Sequence, residues 1–110
     1  MRIAVIGSRS ITSVDIGRYL PETCDEIVSG GAVGVDRLAE EYARKEGIEC
    51  TVILPEYERY GRAAPIVRNK KIVDLSDLVL AFWDGSSRGT LSVIKYAKQI
   101  GKPCEIIICK

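Results

Sequence analysis

The 110-residue chain contains no histidine. That removes the commonest general base, so any proton-transfer chemistry falls to other groups, with Asp36 and Asp84 as the carboxylate candidates. The same absence limits metal sites. Cys24, Cys50, Cys104 and Cys109 show no CxxC spacing, and a zinc site would need all four thiolates to converge from scattered positions. Reduced, mostly buried thiols and no metal are the expectation. There is also no run of about 18 apolar residues to span a bilayer. The opening MRIAVIGSR lacks a signal peptide's charged start, long apolar stretch and cleavage site, so a cytoplasmic protein without membrane partners is expected. Charge of one sign is lacking too. Sixteen basic residues against fifteen acidic ones leave a formal charge of +1, which argues against nucleic acid as a partner except through a local patch.

What is present suits one compact domain over residues 1–110, with 46% hydrophobic and 28% charged residues. The chain is organised around residues 76–97, SDLVLAFWDGSSRGTLSVIKYA. Positions 78–83 form a six-residue apolar run, too short for a free-standing helix and too apolar for a sheet with one wet face. The run predicts a central parallel strand. A loop of small residues and hydroxyls follows (Asp84, Gly85, Ser86, Ser87, Arg88, Gly89, Thr90), then helical spacing at Leu91, Ile94 and Ala97. Free backbone N–H groups at such a helix start favour an anion.

In order along the chain, residues 2–6 predict the first strand, stopping at Gly7, Ser8 and Arg9. Thr12 and Ser13 offer N-caps to a short helix that Pro21 helps to end. Residues 26–28 predict a second strand, followed by SGGAVGVD at 29–36 and a helix with Val35, Leu38, Ala39, Tyr42 and Ala43 on its apolar face, closed by Gly47. Residues 50–54 predict a third strand and 55–64 an irregular loop. Pro65 suits the first turn of a third helix running to about Leu75. After the central strand and a fourth helix, Gly101 to Pro103 break the chain before a fifth strand at 104–109.

Strands alternating with helices imply right-handed crossovers and a Rossmann-like, three-layer αβα domain. Its five-stranded parallel sheet has the default order 3-2-1-4-5, with the first and fourth strands adjacent at the topological switch point. Ligands bind there, beyond the carboxyl ends of the strands. Three loops meet at that point: 7–9, 29–36 and 84–90. Gly30, Gly31 and Gly34 either allow a tight turn or let a ligand approach the backbone, and Asp36 either accepts from a ligand hydroxyl or caps its helix. Arg9, leaving a central strand, is the better phosphate candidate; Arg88 is the other. Tyr57 and Tyr60 alternate with Arg59 and Arg62, to stack on a base or to cover the sheet edge. Asn69, on the side of Ile66 and Val73, ties loops together if it is buried.

Four segments resemble one family: GSRSIT at 7–12, VSGGAVGVDRLAEEYA at 28–43, VRNKKIVDLSDLVLAF at 67–82 and GSSRGTLSVIKYAKQIGKP at 85–103. Their combination and separations are similar to the SLOG superfamily of Rossmann-like nucleotide-binding domains, which includes the DprA/Smf DNA-processing proteins, the LOG phosphoribohydrolases and the molybdenum-cofactor carrier proteins. Small stand-alone members with YGxxA before the Arg-Asn pair, here at 60–64, match best. The resemblance implies a nucleotide or nucleotide-derived ligand over the carboxyl edge of the sheet, such as NAD, ADP-ribose or a nucleoside monophosphate, with phosphate at Gly89 and Thr90. It carries ligand-binding roles onto Gly7, Ser8, Arg9, Gly30, Gly31, Ala32, Gly34, Asp36, Arg68, Asn69 and residues 85–90. LOG enzymes carry PGGxGTxxE, whose glutamate takes part in breaking the N-glycosidic bond; residues 85–93 read GSSRGTLSV, which puts Val93 at the glutamate position.

Three functions follow as expectations. Binding of a nucleotide without a required cofactor comes first; LOG-like N-glycosidic hydrolysis through Asp36 or Asp84, and DprA-like single-stranded DNA binding, are the alternatives. So small a sheet also suggests a symmetric homodimer through Tyr96 and the Leu91/Ile94 side of the fourth helix.

Overall fold

In the computed structural model, which describes residues 1–109, Val79, Leu80, Ala81 and Phe82 are all fully buried. Only a strand covered on both faces permits this, and β4 (Leu78–Trp83) is that strand. It pairs in parallel with β1 (Arg2–Gly7), in register from Ile3 opposite Leu78 to Gly7 opposite Phe82. Outside β1 lie β2 (Glu26–Ser29) and then β3 (Glu49–Val52), while β5 (Cys104–Ile108) flanks β4. All four pairings are parallel, and the order is β3-β2-β1-β4-β5 as expected.

Alternation along the strands divides the core into two layers. Ile3, Val5, Leu80 and Phe82 point to one face, where Ile16 of α1 (Ile16–Tyr19) and Val35, Ala39 and Ala43 of α2 (Val35–Glu46) cover them. Tyr19 meets the Phe82 ring edge-on at 5.5 Å. Ala4, Ile6, Val79 and Ala81 point to the other face. There they meet Ile72 and Val73 of α4 (Ala64–Leu75) and Val93, Ile94 and Ala97 of α5 (Arg88–Gln99). A helix layer on each face of the sheet makes the domain three-layered. No helix among the described residues is long and apolar enough to cross a membrane.

Several local expectations change. Thr12 and Ser13 do not cap a helix: Ile11 and Ile16 are both buried as anchors, and only one turn, led by Asp15 without a side-chain cap bond, forms after them. Residues 55–64 are not irregular, because nothing between Pro55 and Gly61 breaks a helix. They hold α3 (Tyr57–Tyr60), a 3-10 turn (Gly61–Ala63) and the start of α4. β3 stops at Val52, since Leu54 is exposed and Pro55 has no N–H to donate. The four cysteines are free but only half-buried, because β3 and β5, which carry Cys50 and Cys104, are edge strands. Burial still pushes the thiols of Cys24, Cys50 and Cys104 above their usual value, which keeps them protonated and poorly nucleophilic. Ile94 faces the core rather than the outer surface of α5, and of Ile66 and Asn69 on α4 it is Ile66 that is exposed.

Candidate functional site at the carboxyl edge of the sheet

The two central strands end side by side, and their loops are tied by hydroxyls. Ser8 is buried; its amide donates to the Phe82 carbonyl at 3.0 Å, and its Oγ accepts from the Asp84 amide at 3.1 Å. The same Oγ lies 3.4 Å from Thr90 Oγ1. Ser10 Oγ donates to Asp84 Oδ2 at 2.6 Å, while Asp84 Oδ1 accepts from the amides of Ser86 and Ser87 at 2.9 and 2.8 Å. Hydrogen bonds from Ser10 and from those two amides hold the Asp84 carboxyl well below the usual carboxylate range. Asp84 is thus a fastener for the loop, with both oxygens engaged.

That fastening aims the start of α5. Ser87 is the N-cap, its Oγ accepting from the Thr90 amide at 3.3 Å and lying 3.1 Å from Thr90 Oγ1. The Arg88 and Gly89 amides have no intrahelical partner, as at any helix start, and they carry the positive end of a twelve-residue helix. Residues 89–90 do not both offer a free amide, because the cap occupies that of Thr90, which moves the free donors one residue earlier.

Across the switch point, α2 closes onto the end of β1 because two glycines permit it. A Cβ on Gly7 would lie 2.6 Å from both the Phe82 carbonyl oxygen and Val35 Cγ2. Gly34 sits at φ +82°, with the Ser8 carbonyl oxygen 2.9 Å from where its Cβ would be. The space beside Gly30 is likewise filled by the protein's own Arg68 Nη1 and Asp36 Oδ2, at 2.8 and 2.9 Å. These glycines therefore serve loop packing, and the ligand approach expected from their missing side chains falls to the cleft itself.

The cleft is about 400 Å³ and opens above β1 and β4. Asp36, only 6% exposed, forms part of its wall and accepts from the Ala32 amide at 3.2 Å through Oδ2. Desolvation pushes its carboxyl up to about 6, against the Ala32 amide and the Arg68 guanidinium, which act in the opposite direction. Arg68 reaches over from α4, donating to the Gly30 carbonyl at 2.5 Å and to Asn69 Oδ1 at 2.7 Å. Burial lowers its guanidinium below the usual value; Asp36 and Tyr57 oppose that, and Arg9 adds to it. Arg9 itself makes no hydrogen bond or ion pair among the described residues. Two guanidiniums therefore share one cleft with two carboxylates, Asp84, whose ionised form is held by its hydrogen bonds, and Asp36, whose ionised form burial disfavours.

Of the sequence candidates, Gly7, Arg9, Ala32, Asp36, Arg68, Asn69, Ser87, Gly89 and Thr90 line this cleft, together with Asp84 and Val93. Ser8, Gly30 and Gly34 stand behind it as supports. Gly31 turns away toward Leu54 and Val52, and Gly85 and Ser86 lie on the exposed tip of the Asp84 turn. Arg88 lines a different groove, between α4 and α5, beside Lys70, Lys95 and Tyr96. Missed altogether were Ser10, Pro65 and Ile6 in the cleft wall. Ser10 carries a usable signal, a second hydroxyl after the first strand; Pro65 carried only a helix-start signal.

Compared with protein-family models, with curated proteins and with solved structures, the chain matches none. The resemblance to the SLOG superfamily therefore rests on the four quoted motifs.

Proposed function

We propose that this chain binds a phosphorylated nucleotide, a nucleoside monophosphate or an ADP-ribose-like or NAD-like compound, in the switch-point cleft, and does not cleave its N-glycosidic bond. The observation that carries this reading is the convergence of Arg9 and Arg68 on a cleft that also receives the start of α5. Two nearby cations repel until an anion sits between them, and the free amide of Gly89, which lines the cleft, adds a donor for its oxygens. Cleavage is a different demand. It builds positive charge on the ribose, which a carboxylate near the sugar must stabilise. Val93 lies in the cleft wall, 3% exposed and packed into the core, and contributes no charge. Asp84 spends one oxygen on its own turn and the other on Ser10, so Asp36 is the one carboxylate left for hydrolysis.

The test is to titrate AMP calorimetrically and to follow free adenine by chromatography. Binding that weakens at least tenfold in Arg9→Ala, with no adenine released, is expected. Adenine release by the wild type, abolished in Asp36→Asn, would replace the binding reading with the hydrolytic one. A steep fall in affinity for single-stranded DNA with added salt, alongside no AMP binding, would favour the nucleic-acid reading instead.

A further inference from the structure

Beyond the cleft, on the side of β2 and β3, apolar side chains stand in solvent where the fold gives them nothing to cover. Leu54 is 64% exposed, Tyr57 58%, Val33 58% and Val52 40%. They adjoin the cleft across a single residue step. Gly30 packs against Arg68 and Asp36 of the cleft wall, and a Cβ on Gly31 would lie 2.8 Å from Leu54 Cδ2 and 3.0 Å from Val52 Cγ1. Tyr57 is near enough to Arg68 to bear on its charge. The two tyrosines of this segment have separate fates: Tyr60 is half-buried beneath Arg59 and Lys71, while Tyr57 is free. Covering the sheet edge thus explains Tyr60 and leaves Tyr57 unexplained.

We propose that Leu54 and Tyr57 form the seat for the aromatic base of the ligand whose phosphate occupies the cleft, so that the molecule recognised is a nucleotide rather than a sugar phosphate or free phosphate. This rests on the nucleotide-binding reading above. β3 lies two strand spacings from β1, roughly 10 Å, and the ribose and base of a mononucleotide together span that gap from a phosphate held beside Arg9. A base laid on this platform shields apolar area that is otherwise wet, and it stacks on an aromatic side chain already exposed. Nothing in the seat requires a change of backbone, since both side chains already face solvent.

The experiment compares AMP with ribose 5-phosphate by calorimetry on the wild type, Leu54→Ser and Tyr57→Ala, with circular dichroism to verify folding. Both positions are exposed, so the variants are expected to fold. The wild type should bind AMP at least tenfold more tightly than ribose 5-phosphate. Tyr57→Ala should weaken AMP roughly tenfold, Leu54→Ser several-fold, and neither should change ribose 5-phosphate. Equal affinity of the wild type for both ligands, or variants that leave AMP unaffected or weaken both ligands alike, would overturn the base seat while leaving phosphate binding in place. Failure of the wild type to bind either ligand would overturn the parent reading as well.

Discussion

Asp36 is a carboxylate that the fold keeps at a cost. Its ionised form is disfavoured by burial, and its pKa stands at about 6 in the folded protein against 3.8 for the free group. A raised carboxylate is fully compatible with folding below about pH 4, where both states are protonated; between the two values the unfolded chain ionises first, so stability falls as pH rises. Above pH 6 the loss is complete, on the order of 2–3 kcal/mol from the shift. Asp36→Asn keeps an acceptor for the Ala32 amide without the charge. Urea denaturation should find it more stable than the wild type by about 2 kcal/mol at pH 8, with the gain gone at pH 4. A constant difference across that range would mean that Asp36 is not titrating in the fold. Asp84 runs the other way: its depressed value makes its ionised form a support that is lost only as pH falls below the usual carboxylate range.

At the scale of elements, the start of α5 depends on Ser87 and the Asp84 turn together. Ser87→Ala should cost about 1 kcal/mol in denaturation, as for other N-caps. Asp84→Ala removes the acceptor shared by the Ser86 and Ser87 amides and by Ser10, and should weaken AMP binding at least fivefold in calorimetry while the far-ultraviolet circular dichroism is unchanged. Unaltered affinity would place the anion away from α5. These devices explain what could be read from the chain and what could not. The strands and their order were legible because buried apolar runs such as 78–83 announce themselves at any position. The loops that meet at the switch point followed from that order. Which way a loop side chain turns did not follow. Arg9 and Arg88 look equivalent as loop arginines, yet one faces the cleft and the other the α4/α5 groove, a difference set by where each falls on its turn. The helix before Pro21 was legible although its N-cap was not, whereas the short helix at 57–60 was hidden, since a single turn has too few residues to show a period.

For the whole molecule, the face formed by α4 and α5 bears on self-association. Lys70, Arg88 and Lys95 surround Leu91 and Tyr96 there, with Tyr96 bonded to Asp74 and lying under Lys70. A two-fold contact through this face sets cations against their own copies, and Ile94 is not available to it. Light scattering at low ionic strength should therefore report a monomer. A dimer that dissociates as salt is added would contradict this, because screening should relieve the repulsion rather than create it. The central pairing carries another implication, one of timing. β1 and β4 lie side by side although Arg2 and Asp77, which share a hydrogen bond, are 75 positions apart. While the chain is being synthesised, the first strand must wait with one edge of unpaired backbone N–H and C=O groups bare until about two-thirds of the sequence has followed it. The ligand cleft, which needs Thr90, comes into being later still, so a nascent chain passes through a sticky, siteless interval during which a holding chaperone has something to hold.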